Sequence, residues 1–104
     1  MVKINLKVIN NKIEKIQISG HANAGNYGSD LVCAAITGIV SGAMNAFDIN
    51  HKTDVEMQVL ENEIIIKVIN LNNVELQTML KMLQIQLDTI AIQYPKNVEL
   101  KEVR

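Results

Sequence analysis

The sequence predicts an α/β protein of the α+β type, a two-layer sandwich in the order ββαββαβ with two helices on a mixed or antiparallel sheet. Three observations carry this prediction. Apolar and polar residues alternate on both sides of an Asn-Asn turn near the start. A long apolar stretch at helical spacing separates that pair from a second alternating pair. A final helical run then stops at the only proline and leads into one more strand.

Val2, Ile4, Leu6 and Val8 alternate with Lys3, Asn5 and Lys7, the period of a strand with one buried face. Asn10 and Asn11 tolerate positive φ and suit a tight turn, so Lys12 to Ser19, carrying Ile16 and Ile18, returns as the partner strand. From Leu31 to about Asp48 the apolar residues Leu31, Ala35, Ile39, Met44 and Phe47 recur at helical spacing. Val55, Met57 and Val59 alternate again, Glu61-Asn62 marks a turn, and Glu63 to Ile69 follows as a strand. A second helix opens at Asn72, where Glu75 three residues later has capping-box spacing. Leu76, Met79, Leu80, Leu83, Leu87, Ile90 and Ala91 form its apolar face, and Pro95 ends it. Val98 to Val103 is the closing strand.

Length and composition fit one domain over residues 1–104. A net charge of −1 and only three aromatics, Tyr27, Phe47 and Tyr94, give neither a phosphate-binding footprint nor a stacking platform. No direct nucleic-acid partner is expected. A single cysteine forms no internal disulfide, which fits a reducing compartment. With no uninterrupted apolar stretch of membrane-spanning length, no membrane partner is expected and the reading is cytoplasmic. Gly38 and Gly42, with Ala34, Ala35 and Ala43, give the first helix a small-residue surface suited to close approach by the sheet or second helix. Ile9, Ile13, Ile65 and Ile69 fall opposite the inward sets of their strands. That suggests an aliphatic outer patch and a homodimer.

The chemistry concentrates between Gly20 and Ala35. The single cysteine, Cys33, lies twelve residues after His21, across a loop of small and turn-forming residues. A thiol becomes a strong nucleophile only as a thiolate, and two activators stand nearby. One is the imidazole. The other is the positive end of a helix starting with Ser29 or Asp30 as N-cap, which puts Cys33 in the first turn. Two readings of Cys33 stand on the residues alone, a buried inert thiol and a nucleophile. Asp30 is equally open between capping the helix and orienting His21.

The stretch Gly20-His21-Ala22, followed by Tyr27-Gly28-Ser29-Asp30-Leu31-Val32-Cys33-Ala34-Ala35-Ile36, resembles the ribosomal-processing cysteine protease family, Prp. In that family a Gly-His-Ala motif precedes a loop and then Gly-x-Asp-[Ile/Leu]-Val-Cys-Ala-Ala. The element order agrees along essentially the whole chain, while the specific match is confined to residues 20–36. Asn23 and Ala24 fall where the family varies, and Thr37 stands where serine is common.

The resemblance implies a cysteine endopeptidase that removes the N-terminal extension of a large-subunit ribosomal protein, with no cofactor and no metal. It makes Cys33 the nucleophile and His21 the general base, with Asp30 a candidate third member. Asn23, Gly25, Tyr27, Gly28 and Ser29 would form a mobile substrate-binding loop. First-turn amides near Cys33 would hold the oxyanion. It further implies bulky apolar substrate residues before the cleaved bond, and nothing in the chain argues for a charged specificity pocket.

The alternative is a non-catalytic module that holds an anion, RNA or a ribosomal protein with the loop and helix N-terminus. His51 reads as a solvated loop residue between Asn50 and Lys52. Glu61, Glu63 and Asp88 read as turn or helix-surface charges. Arg104 is the only arginine, which leaves a cysteine phosphatase without its phosphate-binding group.

Overall fold

The computed structural model of the chain describes residues 1–20 and 27–103, and of residues 27–30 the backbone alone. Its elements are β1 (Val2–Ile9), β2 (Lys12–Ser19), α1 (Tyr27–Asn50), β3 (Val55–Val59), β4 (Glu63–Val68), α2 (Val74–Gln93) and β5 (Val98–Val103), the expected order. The five strands form one sheet in the order β3-β4-β2-β1-β5. β5 runs parallel to β1 while the other neighbours pair antiparallel, so the sheet is mixed. Asn10 and Asn11 do adopt positive φ, at 50° and 63°, as the β1–β2 turn requires.

One sheet face supplies Val2, Ile4, Leu6, Ile16, Ile18, Ile66 and Val68 to the core. The helices cover that face through Val32, Ile36, Val40 and Phe47 of α1 and Leu76, Leu80, Leu83 and Leu87 of α2. Fully burying aliphatic side chains of this kind is worth about 1.5–3 kcal/mol each before chain entropy is counted.

Several expectations are corrected. α1 buries Val32, Ile36 and Val40, whereas Leu31 is 55% exposed and Ala35 is also exposed. Both series repeat at helical spacing, so period alone does not choose between them. Ile13 is in the core rather than on the outer sheet face, because the β1–β2 register shifts between Lys7 and Val8. The extra residue of this bulge brings Ile13 to the same side as Ile16. With Ile13 in the core, Ile65 pairing with Gln17 and Gln58, and Ile9 pairing with Lys12, the four isoleucines do not form the expected outer patch.

Beyond the bulge, β4 no longer pairs with β2, and the side chain of Gln77 on α2 takes its place. Gln77 Oε1 accepts from the Ile13 N–H at 2.8 Å and its Nε2 donates to the Ile13 carbonyl at 2.9 Å.

α2 starts one residue later than expected. Asn73 is its N-cap, accepting from the Leu76 N–H at 3.1 Å. Since the Asn73 oxygen is engaged there, its amide nitrogen faces Asp54 Oδ2 at 2.7 Å and His51 Nδ1 at 3.2 Å. The His51 ring therefore carries its hydrogen on Nε2 and donates to Glu75 Oε1 at 2.8 Å. His51 is thus buried and doubly bonded, not solvated. It ties the end of α1 to the start of α2.

By length and composition, Leu31–Asn50 is apolar enough to cross a membrane, with a mean hydropathy of 1.5 over an 18-residue window. This corrects the expectation that no such stretch exists. Leu, Ile and Val, with the alanines, raise the mean, and Asp48 is the one charge. One face of that helix is committed to the core.

Candidate active site

Cys33 lies in the second turn of α1, half-buried against the core. The helix begins at Tyr27, earlier than the cap residues Ser29 and Asp30 suggested. Ser29 and Asp30 are inside the first turn, where hydroxyl and acidic residues also suit the exposed amides and the macrodipole. Asp30 is therefore not the N-cap. The sulfur-bearing residue stands a turn further from the helix start than expected, and the first-turn amides precede it.

The helix takes up part of the segment that the sequence suggested as a loop. Tyr27, Gly28 and Ser29 belong to the helix backbone, while His21, Asn23 and Gly25 lie outside the described residues. The strand that leads to His21 is fixed up to its last described residue. Ser19 pairs with Lys3 of β1 and Glu63 of β4, and the Gly20 N–H donates to the Asn62 carbonyl at 3.3 Å. Gly20 has φ +85°, a conformation open to glycine.

Gly20 and Cys33 line the same cleft, of about 280 Å³. Its floor is apolar, with Val2, Ile18, Ile36, Val40 and Ile64. Thr37 of α1 stands on one wall, and Val59, Leu60, Glu61 and Asn62 from the β3–β4 turn form the other. That second wall is absent from the sequence-based site. Its signal was Leu60, an apolar residue breaking the alternation just before a turn. A cleft of this size with an apolar floor suits peptide side chains beside a thiol.

The sequence profile of the family described as Cysteine protease Prp matches residues 1–99. The ribosomal processing cysteine protease Prp of Staphylococcus aureus is 30% identical over 91 residues, covering 86% of either chain. The protein of that name from Mycoplasma pneumoniae is 32% identical over 93 residues, covering 86% of this chain and 88% of its own. In structure, the chain is similar to the S. aureus ribosomal processing protease Prp in complex with a covalently linked product peptide. The TM-score is 0.89 at 26% identity, over 99% of this chain and 100% of the other. The same protease with a substrate peptide also gives 0.89, at 25% identity with the same coverage.

Proposed function

This chain belongs to the Prp cysteine protease family, and from that membership we propose that it removes the N-terminal extension of a large-subunit ribosomal protein, with Cys33 as nucleophile and His21 as general base. The observation that carries the assignment is the shared cleft. Cys33 opens onto it from the helix, and Gly20, the residue before His21, lines it from the sheet.

In this mechanism His21 takes the Cys33 proton, and the thiolate attacks the scissile carbonyl to give a tetrahedral oxyanion. Its collapse breaks the C–N bond, the imidazolium protonates the leaving amine, and the N-terminal fragment stays on sulfur as a thioester. His21 then takes a proton from water, whose attack releases the acid and restores the thiol. Asp30, inside the helix rather than at its N-cap, is the candidate for orienting His21. Asn23, Gly25, Tyr27, Gly28 and Ser29 contribute to peptide binding in this reading.

The enzyme works as a homodimer in the cytoplasm, where a ribosomal protein substrate is made. The outward face of α1 supports the dimer. Ala34, Ala35, Gly38, Ser41 and Gly42 are exposed along it, and a Cβ built on Gly38 or Gly42 meets nothing within 4 Å among the described residues. Among the described residues the two glycines therefore serve no close approach, contrary to the sequence expectation. They leave room for a second helix.

Mass spectrometry of an extended ribosomal protein incubated with wild-type enzyme, Cys33→Ser and Cys33→Ala tests the assignment. Wild type shortens the protein, whereas both variants keep native circular dichroism and bind it uncut. Loss of the extension with Cys33→Ala would remove the protease assignment in favour of another nucleophile.

A further inference from the structure

The wall of the cleft contributed by the β3–β4 turn is unusual in two respects. Turns favour polar residues, yet Val59 is 68% and Leu60 52% exposed at this tip, and both line the cleft. Between them and the apolar floor a substrate side chain would be enclosed on two sides, which accounts for two adjacent exposed aliphatics with no core to serve.

The charge pattern is the second respect. Glu63 is hydrogen-bonded by the Gln17 amide. Glu61, on the lip, has no partner among the described residues, and none of the described lining residues is a lysine or arginine. With Glu63, the cleft's other carboxylate, held by Gln17, the unpartnered Glu61 at the rim acts on charge brought next to it. That action strengthens once bound peptide excludes water from the floor.

We propose that the β3–β4 turn is the specificity element of the cleft, with Val59 and Leu60 closing over an apolar substrate side chain and Glu61 selecting a lysine or arginine side chain beside it. The inference rests on the protease assignment and revises the expectation of an uncharged specificity site. The turn is well placed for this role because Asn62 also holds Gly20, so substrate contact and the strand leading to His21 share one anchor.

The test is a series of fluorogenic peptides containing the cleaved bond and its apolar residue, in which each neighbour in turn is lysine, norleucine or glutamate. Wild type, Glu61→Gln and Glu61→Lys are assayed for kcat/KM on each. At one position wild type favours lysine over norleucine by about threefold, within the range of partly exposed ion pairs, and the ratio shrinks as salt rises. Glu61→Gln removes the ratio and Glu61→Lys inverts it toward glutamate. Leu60→Ala lowers kcat/KM on every peptide by about tenfold, as expected for losing apolar enclosure. A lysine preference identical in all three Glu61 forms, or absent from wild type while cleavage still needs Cys33, overturns the inference and leaves the protease assignment standing. Failure of wild type to cut any peptide overturns both.

Discussion

Gly20 and Met1 approach so closely that a Cβ on residue 20 would lie 2.4 Å from the Met1 carbonyl oxygen. The contact is with backbone at the start of a strand, so no side chain can swing away to relieve it. The strand that delivers the chain to His21 therefore runs through a notch shaped for glycine, closed on its other side by the Asn62 carbonyl.

Gly20→Ala should accordingly be costly. The left-handed φ and the backbone clash together predict a loss of about 2–5 kcal/mol in unfolding free energy. Urea denaturation measures it. Turnover should fall further than stability accounts for, because relief of the clash moves the strand end on the cleft. A variant with wild-type stability and kcat/KM would show that the notch has no consequence.

Gln77→Ala tests the surrogate strand pairing at Ile13. It leaves one N–H and one C=O of β2 without their partner, at a cost of about 1–3 kcal/mol. Gln77 does not line the cleft, so cleavage by the folded fraction should be unchanged. A shift in urea midpoint at constant slope is the expected readout.

Asn73→Ala removes the α2 cap together with the donors to Asp54 and His51. The predicted loss is about 2–4 kcal/mol, more than the cap alone supplies. Asn73→Asp restores the cap oxygen yet sets a carboxylate against Asp54, so it should recover only part of the loss. Full recovery in Asn73→Asp would mean that capping is the whole contribution.

The α1 glycines give opposite signs for folding and association. Gly38→Ala meets open space, so helix propensity should raise monomer stability by about 0.5–1 kcal/mol. Gly42→Leu fills the gap left for a second helix and should shift the protein toward monomer in sedimentation equilibrium. An unchanged association constant would exclude this face as the dimer contact.

Much of this architecture is legible in the sequence because burial imposes a period. The strands Lys12–Ser19 and Val98–Val103 begin and end where alternation and turn residues put them. Period does not carry phase through a bulge, however, which is why Ile13 faces the core against its apparent pattern. Nor does it distinguish neighbouring asparagines as caps. Asn73 prevails over Asn72 because its amide also bridges His51 and Asp54, a tertiary arrangement with no local signal. At the site, the Gly20-His21 and Cys33 motifs are visible as chemistry, whereas the wall from Val59 to Asn62 depends on pairing between strands distant in sequence.

On the proposed mechanism, Cys33 carries the substrate as a thioester during turnover. Intact-mass spectrometry of enzyme quenched in acid while processing an extended ribosomal protein tests it most directly. Wild type should gain the mass of the released N-terminal fragment less one water, with peptide mapping assigning the addition to Cys33. His21→Ala should process far more slowly, and Cys33→Ala should form no adduct and leave the substrate intact. Processing by Cys33→Ala at the wild-type rate would show that another group is the nucleophile.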